Sequence, residues 1–554
     1  MNKAVAYKNN SVVFIAWQYD EPIDNCLGFD VRRTDLKTNI MTHLPTWVPF
    51  QGETNEAWEP RGSDVWPVQK FSWRDFSTQS GGSYQYEIVP MVGAPGELSP
   101  QESLAVTTNP VNLGMNYGDI SAVFTNGILS TQFVAHQLPA GDDGTPSVDA
   151  LLEDIKTQGN PLRVKLAGDA LPMLMNLLER AKNSGGQCYC ALYELDDPEL
   201  VELLNGNEAV HLILSNTGPD DATNQQSRKT LHDSGVDIHD RMLGGEHIGH
   251  NKFTVYVDQA GKPQVVLTGS TNWTPNGMCA QSNNAILIES SDVAADYLDY
   301  WHRLLADDSQ QGQTLRRSDG RSCQIKLDNG KTDLTIWYSP NTQATAKPVR
   351  NPAAPPDMAE VFSIIKNAKQ TVLFLVFLPG TPSIVDEALA TQESNPDLLV
   401  RGAVSDSKAM PTVKLIHRPG EDPVVVLATA ISDEFAAWHK ELLKAGFAII
   451  HDKIVVVDPF SPDCVVITGS HNLGYKASYS NDENLLIIRG NQALAQAYAV
   501  HVLDVYDHYR FRYLQQEQQD KAGAFSGFLC TDPSWQEPYF TSAGRAEMQN
   551  WITL

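Results

Sequence analysis

An internal duplication constrains this chain more than any other feature of its sequence. VVLTGSTNWTPNGMCAQSNNAILI (265–288) aligns without a gap on VVITGSHNLGYKASYSNDENLLII (465–488), and eight of the 24 positions are identical. The offset between the two copies is a constant 200 residues, and it also pairs Asp258 with Asp458. A repeat of this length predicts two copies of one structural unit within a single chain.

A shorter pair of similar stretches lies just before the duplicated segments. Residues 250–258 read HNKFTVYVD and residues 451–458 read HDKIVVVD, so each places a histidine two residues before a lysine and opens an apolar run. Residues i and i+2 of a strand point to the same face, so each histidine should project together with its lysine. One such pair is ordinary surface chemistry, but two at matched positions in a repeat predict one site with two halves.

The duplicated segments add polar groups suited to holding an anion. Each apolar strand ends in a Gly-Ser pair, where a tight turn brings a backbone amide and a hydroxyl together, and an asparagine follows three residues after the glycine. Together with the His-Lys pairs, these groups predict a cradle of donors around a tetrahedral oxyanion. The predicted cradle comprises His250, Lys252, Gly269, Ser270, Asn272, His451, Lys453, Gly469, Ser470 and Asn472.

This doubled pattern resembles the phospholipase D superfamily, whose signature is HxKxxxxD followed by a GSxN-type turn. The second copy matches fully, whereas the first copy has five residues rather than four between Lys252 and Asp258. The resemblance covers roughly residues 110–554. It implies one active site to which both copies contribute.

The residues themselves suit phosphodiester chemistry without a metal or another cofactor. Lysine, asparagine and serine donors neutralise the non-bridging oxygens, and two imidazoles with ordinary pKa values near ~6.5 supply a nucleophile and an acid. The seven cysteines are scattered without a CxxC pair, so neither a disulfide framework nor a metal site is expected. The resemblance implies the same two-step reaction through a phospho-histidine, in which an alcohol can replace water.

The resemblance also implies a role for each histidine. The aligned positions Asn283 and Glu483 differ, and in the related tyrosyl-DNA phosphodiesterases this position in each half orients the histidine of the opposite half. Carried over, Glu483 holds His250 as the nucleophile, and Asn283 holds His451 as general acid and then base. The alternative is that both are ordinary polar loop residues.

Two further features surround the motifs. The tyrosyl-DNA relatives lack the aspartates that correspond to Asp258 and Asp458. These two residues are therefore expected to support the fold rather than to react. His247 lies five residues before Lys252, so strand geometry does not pair it with that lysine.

The extra residue of the first copy must lie between Lys252 and Asp258, because the offset is constant from Asp258 onward. One added residue otherwise turns every later side chain to the other face of the sheet. We therefore expect an irregularity such as a β-bulge after Lys252, which leaves Asp258 in the environment that Asp458 has in the second copy.

Three domains are expected along the chain. Residues 1–108 consist of short aromatic and β-branched segments with Gly and Pro between them, which predicts a small all-β sandwich resembling a fibronectin type III or other immunoglobulin-like module. From residue 109 onward, apolar strands alternate with amphipathic stretches, which is typical of a mainly parallel sheet covered by helices. The expected architecture is two pseudo-symmetric α/β/α sandwich halves, 109–335 and 336–554.

Charge and hydropathy narrow the expected partners. The chain carries 41 Lys and Arg against 67 Asp and Glu, a formal net charge of −26, which disfavours nucleic acid as a partner. No apolar run approaches the ~18–20 residues of a membrane-spanning helix, and residues 1–20 lack the apolar core and cleavage site of a signal peptide. We expect a monomer that is cytoplasmic or exported without such a signal.

The expected substrate is a glycerophospholipid at a membrane or micelle surface, because several segments resemble bacterial-type phospholipase D. Trp273, Tyr475 and LFLVFLPG (373–380) are candidates for acyl-chain contact, although core or turn roles explain them equally well. The first alternative is a nuclease or other phosphodiesterase with identical chemistry. The second is a catalytically inactive scaffold, which the retention of every reactive residue disfavours.

Overall fold

Contacts divide the chain, in this computed structural model, into two units. One consists of Met1–Met115, Gln496–His501 and Leu514–Leu554, and the other of Asn116–Ala495 and Val502–Tyr513. The residues that the structure describes are 2–55, 59–128, 147–218, 221–244, 247–309, 312–342, 353–405, 425–427, 449–518 and 527–552.

The first unit contains an all-β sandwich, as the sequence predicts. One sheet has the order β1-β2-β7 and the other the order β10-β8-β3-β4, with β9 and β11 also paired to β8. Trp17 on β2 meets Phe29 on β3 edge to face, with ring centroids 5.3 Å apart, so aromatic residues of both sheets share one core. The strands are β1 Lys3–Lys8, β2 Val13–Gln18, β3 Cys26–Asp35, β4 Ile40–His43, β5 Pro45–Thr46, β6 Arg61–Gly62, β7 Ser72–Asp75, β8 Ser83–Ala94, β9 Glu97–Pro100, β10 Val106–Thr107 and β11 Val111–Asn112.

The C-terminal segment packs in this first unit rather than with the duplicated part of the chain. The indole Nε1 of Trp535, in the 3₁₀ helix Pro533–Phe540, donates to the carbonyl oxygen of Cys26 at 2.9 Å. The sequence interpretation assigned this segment to the 336–554 half. The contacts group it with the sandwich instead, because its aromatic side chains complete the sandwich core.

The second unit contains two eight-stranded sheets with the same strand order. The order is β12-β13-β19-β18-β17-β14-β15-β16 in the first and β20-β21-β27-β26-β25-β22-β23-β24 in the second. The duplication in sequence is therefore a duplication of fold, and the two pseudo-symmetric halves are confirmed. The strands are β12 Asn116–Tyr117, β13 Ile120–Phe124, β14 Gln187–Leu192, β15 Val210–Thr217, β16 Asp237–Leu243, β17 Lys252–Val257, β18 Pro263–Gly269, β19 Asn284–Glu289, β20 Cys323–Leu327, β21 Thr332–Ser339, β22 Thr371–Val376, β23 Leu399–Val404, β24 Val425–Leu427, β25 Lys453–Val457, β26 Val465–Gly469 and β27 Glu483–Arg489.

Both sheets are mixed, so the expectation of a mainly parallel sheet is wrong. In the first sheet β14, β15 and β16 run parallel, and the other neighbouring strands run antiparallel. The connection from β17 to β18 consists of the five residues 258–262, too few for the crossover that parallel strands require. The alternation of strands and helices indicated the α/β class but not the direction of the strands.

Helices cover the sheets on both faces. In the first half, Cys188 contacts the helix Ala170–Ser184, while the neighbouring Tyr189 points to the other face and meets Trp301 of the helix Ser291–Ala306 at 5.0 Å between ring centroids. The described helices are α1 Val148–Asp154, α2 Pro161–Ala167, α3 Ala170–Ser184, α4 Pro198–Leu204, α5 Gln225–Asp233, α6 Pro275–Cys279, α7 Ser291–Ala306, α8 Leu315–Ser318, α9 Pro356–Lys366, α10 Ile384–Ser394, α11 Tyr475–Ser480, α12 Gln492–Gln518 and α13 Ser542–Trp551. Within the described ranges, no helix combines the length and the apolar composition that a membrane crossing needs.

A register shift lies where β17 pairs with β18, but its unpaired residue belongs to β18, so the bulge expected within β17 after Lys252 is wrong. Tyr256 pairs with Val265 and Val257 with Pro263, so the ladder skips Gln264 on β18. The pairing of β17 with β14 stays regular through Val257. The extra residue therefore lengthens β17 by one residue relative to β25 at the end away from the histidine.

Candidate active site

The two His-Lys pairs lie together where the central strands of the two sheets begin. His250 and His451 precede β17 and β25, and their ring centroids are 6.3 Å apart. Both histidines and both lysines are buried, with at most 7% of each residue exposed. The structure thus brings the two halves of the repeat into one site, as the duplicated motif predicts.

Each histidine is fixed by a backbone bridge to the opposite half. Ile248, two residues before His250, bridges to Asn481, and Ile450, just before His451, bridges to Ser282. These bridges place Glu483, two residues after Asn481, beside His250. They place Asn283, the residue after Ser282, beside His451. The crossover geometry inferred for Asn283 and Glu483 is therefore present in the fold.

Glu483 faces His250. Its Oε1 lies 2.7 Å from His250 Nδ1, and its two oxygens also accept hydrogen bonds from Asn481 Nδ2 at 2.9 Å and from the Asn472 amide at 3.1 Å. Burial by itself raises the pKa of this carboxyl, but His250, His471 and Asn481 together hold the pKa below its usual value. An ionised Glu483 keeps a proton on His250 Nδ1 and leaves Nε2 for the substrate.

Asn283 faces His451 in the equivalent way. His451 Nδ1 donates to Asn283 Oδ1 at 2.9 Å and lies 3.1 Å from the carbonyl oxygen of Ser270. Asn283 Nδ2 donates to the carbonyl of Gly277 at 2.9 Å, which fixes the amide with its oxygen toward the ring. His451 therefore also presents Nε2 to the site, but beside a neutral partner.

Burial makes both imidazoles poor bases in the free site. It lowers the pKa of His250 to about 4, with a further contribution from Lys252 that Glu483 partly offsets. It also lowers the pKa of His451 well below the usual value, assisted by Lys453 and Lys252. At neutral pH both rings are uncharged until an anion enters, which suits one of them to act as a nucleophile.

The lysines contribute positive charge at the same place. Each Nζ donates to the carbonyl oxygen of the histidine two residues before it, at 2.8 Å from Lys252 to His250 and 2.5 Å from Lys453 to His451. Burial lowers the pKa of Lys252 to about 7 and lowers that of Lys453 well below its usual value. A bound phosphate, being anionic, favours the charged form of both amines.

The glycines of the two turns are required by close backbone approach. A Cβ on Gly269 (φ 140°) would lie 2.3 Å from the carbonyl oxygen of Asn284, and one on Gly469 (φ 132°) would lie 2.4 Å from that of Asn484. This proximity lets each strand end run directly beside the strand that carries Asn283 or Glu483. The glycines therefore allow the close backbone approach that positions the site.

The serine hydroxyls bond to groups of the fold, and their place in the cradle stays a prediction. Ser270 Oγ donates to Asn283 Oδ1 at 2.8 Å and accepts from the Asn284 amide at 3.0 Å, and Ser470 Oγ accepts from the Asn484 amide at 3.1 Å. Both residues are fully buried. Ser270 acts through Asn283 on His451, because the strand supplying Asn283 lies against the turn.

The two motif asparagines differ in their partners. Asn272 Nδ2 makes a short hydrogen bond to Glu194, a carboxylate that the sequence interpretation overlooked. The Asn472 backbone amide instead donates to Glu483. Asn272 thus retains one N–H for an anion, while Asn472 links the second turn to the carboxylate that holds His250.

The two motif aspartates lie at the far ends of their strands, six residues or about 20 Å along β17 from Lys252 in the first copy. Asp458 is buried, and its carboxylate accepts from the backbone amides of Lys369, Gln370 and Thr371 at 2.8–2.9 Å. Asp258 is more exposed and accepts from Ala260, Lys262 and Gln264 in its own turn. Both carboxylates bond to groups of the fold away from the histidines, and the prediction that Asp258 keeps the environment of its counterpart is wrong because β17 is one residue longer.

This difference predicts unequal stability losses. Asp458→Ala strips the acceptor from three backbone donors and should lower the free energy of unfolding by about 2–4 kcal/mol. Asp258→Ala removes the acceptor of hydrogen bonds that are largely exposed, and it should leave the unfolding midpoint close to wild type. Urea unfolding of both variants checks this, and equal losses would contradict the structural difference.

His247 belongs to a different network. Its Nε2 lies 2.7 Å from Asp482 Oδ1, and Arg241 Nε donates to Asp482 Oδ2 at 2.8 Å. Although burial opposes ionisation, Arg241 and His247 lower the pKa of Asp482 to about 2. This network fixes Asp482, the residue before Glu483. It also explains why His247, although near the motif, does not lie with His250 and His451.

Two aromatic side chains at the site were not singled out as site residues from the sequence. Tyr193 and Phe377, just after β14 and β22, lie with ring centroids 5.2 Å from His250 and 5.0 Å from His451. The Nζ atoms of Lys252 and Lys453 each lie 5.3 Å from the same rings. Phe377 falls in the stretch proposed for acyl contact, and alignment of the strands before the motifs would have revealed the pair.

The other two acyl-contact candidates take packing roles. Trp273 is 3% exposed, and its backbone bridges to Leu195. Tyr475 is half-buried and stacks on Phe362, with ring centroids 6.0 Å apart. The core and turn interpretation of both residues is therefore the one that fits.

Comparison with known proteins agrees with this geometry. Residues 174–305 and 361–503 match the family model described as "Cardiolipin synthase, PLD-like domain", one segment in each half. No curated protein matches the chain significantly.

Similar solved structures include three proteins of different activity. Phosphatidylserine synthase from Haemophilus influenzae is 13% identical, with 62% of this chain and 85% of that chain covered and a TM-score of 0.39. Nuc, a phospholipase D family member from Salmonella typhimurium, is 18% identical, with 32% and 97% covered and a TM-score of 0.20. Polyphosphate kinase from Porphyromonas gingivalis is 11% identical with a TM-score of 0.36; 57% of this chain is covered, but the chain spans only 45% of the kinase.

Proposed function

We propose that this chain, which belongs to the phospholipase D superfamily of phosphodiesterases, is itself a phospholipase D that hydrolyses glycerophospholipids to phosphatidic acid and a free head-group alcohol. The observation that carries the proposal is the pair of buried histidines 6.3 Å apart, each held at Nδ1 from the opposite half. Such a pair can act on the two sides of one phosphorus atom. Phosphatidylcholine is a representative substrate.

In the proposed first step His250 is the nucleophile. Its Nε2 lone pair forms a bond to phosphorus while the bond from phosphorus to the head-group oxygen breaks. His451, protonated once the anionic phosphate is in the site, gives its Nε2 proton to the departing oxygen. Lys252 and Lys453 balance the charge on the non-bridging oxygens, and Glu483 stabilises the cationic phospho-imidazole on His250.

The proposed second step reverses these roles. A water or alcohol oxygen forms the new bond to phosphorus as the bond to His250 Nε2 breaks, and His451 takes the proton of the attacking hydroxyl. Water yields phosphatidic acid, and an alcohol yields a transferred phosphatidyl group. Side chains of the two halves stabilise the charge that develops in both steps and transfer the protons. The scheme therefore needs no metal ion or other cofactor.

Two features favour a lipid over nucleic acid as substrate. The net charge of −26 repels a polyanion. Leu378, next to Phe377 at the site, is 42% exposed. An exposed leucine beside the reacting centre fits an apolar substrate surface.

The proposal predicts metal-independent choline release. Purified protein in excess EDTA should release choline from phosphatidylcholine vesicles, with added butanol diverting part of the product to phosphatidylbutanol. The same preparation should leave single-stranded DNA intact, measured by gel electrophoresis. DNA cleavage without lipid cleavage would favour the nuclease alternative, and inactivity on both substrates would favour a scaffold.

A further inference from the structure

The loops that follow β14 and β22 are equivalent but break the symmetry of the site. They read YELDDP (193–198) and FLPGTP (377–382), and each ends at a proline close to the next helix. The first position is aromatic in both and takes the same place against histidine and lysine. The second position is Glu194 in one half and the exposed Leu378 in the other.

Glu194 lies at the reacting centre. Its carboxylate accepts a short hydrogen bond from Asn272 Nδ2. Burial raises the pKa of this carboxyl, whereas the charges of Lys252 and Lys453 and the bond from Asn272 oppose the rise. A carboxylate within electrostatic range of both lysines is unexpected in a site that binds a phosphate anion, so it calls for a role of its own.

The backbone around Glu194 is rigidly held. Its carbonyl oxygen accepts from the Trp273 amide at 3.1 Å, and Asn224 donates to the Tyr193 carbonyl at 2.7 Å and accepts from the Leu195 amide at 2.9 Å. Three residues after Glu194, Asp197 forms a fully buried bidentate ion pair with Arg163. The loop therefore presents a fixed carboxylate, as a binding group requires.

A second acceptor lies beside this carboxylate. Asn272 is 5% exposed, and its Oδ1 has no hydrogen-bond partner among the described residues, although its Nδ2 is bound to Glu194. A buried amide oxygen without a donor costs free energy unless a ligand supplies an N–H or O–H. The carboxylate and the amide oxygen together form an acceptor pair that matches a cation bearing hydrogen-bond donors.

Asn272, one member of the acceptor pair, lies in the turn that contacts His451, the proposed general acid. Ser270, whose carbonyl oxygen is 3.1 Å from His451 Nδ1, lies two residues before Asn272. The leaving or attacking alcohol must have its oxygen at His451 Nε2. Glu194 interacts electrostatically with both Lys252 and Lys453, which places the acceptor pair near the lysines that face the phosphate in the proposed reaction.

We propose that Glu194 and Asn272 Oδ1 bind the primary ammonium group of an amino alcohol, either as the head group that leaves or as the acceptor that attacks. This inference rests on the proposed phospholipase activity and on His451 as the acid. A primary ammonium satisfies both acceptors, whereas a quaternary ammonium has no N–H to donate. Leu378, at the position equivalent to Glu194 in the second half, is apolar, so the lipid is expected on that side of the site.

The test compares three lipids in mixed micelles with a non-ionic detergent: phosphatidylethanolamine, phosphatidylcholine and phosphatidylglycerol. Wild type should have the highest kcat/KM on phosphatidylethanolamine. Glu194→Gln and Glu194→Leu should each lower the ratio of kcat/KM on phosphatidylethanolamine to that on phosphatidylglycerol by about 10-fold or more. Because a ratio is measured, a general loss of activity or of folded protein cancels.

The matched control is Glu202→Gln, the same substitution at an exposed position on the following helix. It should leave the ratio unchanged. An unchanged ratio in Glu194→Gln, an equal fall in Glu202→Gln, or no wild-type preference for the ethanolamine lipid would each overturn the inference while lipid cleavage persists. Failure to cleave any of the three lipids would instead overturn the proposed function itself.

Discussion

His250→Ala is expected to abolish turnover, with a fall of at least about 10⁴-fold in kcat, because Nε2 of this residue is the proposed nucleophile. His451→Ala should be as inactive on phospholipids, since an alkoxide leaves slowly without its proton. The two variants should differ on a chromogenic diester such as bis(4-nitrophenyl) phosphate, whose leaving group needs no acid. There, His451→Ala should release one equivalent of nitrophenol per enzyme and then stall, because the base of the second step is missing.

The stalled enzyme allows the nucleophile to be identified directly. Peptide mass mapping of the quenched His451→Ala protein should find the phosphorylated residue at His250, and His250→Ala should give neither burst nor adduct. His232→Ala, which changes a half-exposed histidine on a surface helix, serves as the matched control and should keep full activity. A burst from His250→Ala with an adduct at His451 would reverse the two roles.

Glu483→Gln is the second change with a large expected effect. The amide keeps the shape of the side chain but removes the charge 2.7 Å from His250 Nδ1 that stabilises the phospho-imidazole. We expect kcat to fall by about 10⁴-fold, as for another carboxylate that orients a catalytic imidazole. Stopped-flow and steady-state rates on the chromogenic diester, together with a thermal unfolding midpoint, check that the loss is catalytic.

The pH dependence separates this role from simple damage. His250 attacks as the neutral ring, so activity is lost as the pH falls through its pKa, near 4 in the free enzyme. Glu483 raises that pKa, and removing its charge must move the acid limb of kcat/KM to lower pH, not higher. Asn283→Ala, the equivalent change at His451, should leave the acid limb in place. A limb that moves upward in Glu483→Gln would show that the carboxylate does not act on His250.

The crossover contacts of Asn283 and Glu483 were predictable because the repeat carries its own alignment. A fixed offset of 200 residues identifies equivalent positions, and the difference between Asn283 and Glu483 appears only when the copies are compared. The class of fold followed from the alternation of apolar strands and amphipathic stretches. Strand direction did not follow, because it depends on connection lengths such as 258–262 rather than on composition.

Other features depend on contacts that no local pattern encodes. The hydroxyl of Ser270 turns to Asn283 because the strand starting at Asn284 runs beside it, a long-range proximity that the Gly-Ser pair does not reveal. Asp258 and Asp458 look equivalent in sequence, yet one added residue gives them different partners. Glu194 lies in an unremarkable loop and becomes visible only through its bond to Asn272.

The reciprocal arrangement of the two halves has a consequence for how such a site can change. Thr268 donates to Asn484 Oδ1 and Asn284 donates to Thr468, each bond at 2.9 Å, so the same threonine–asparagine contact occurs twice between the halves, with the first half donating in both. Two identical subunits could form this contact, but every substitution would then occur twice around the axis. Joining the copies in one chain allows a carboxylate in one half and an amide or a leucine in the other. Division of labour between nucleophile and acid, and between head group and lipid, is thus open to the fused protein and closed to a symmetric pair.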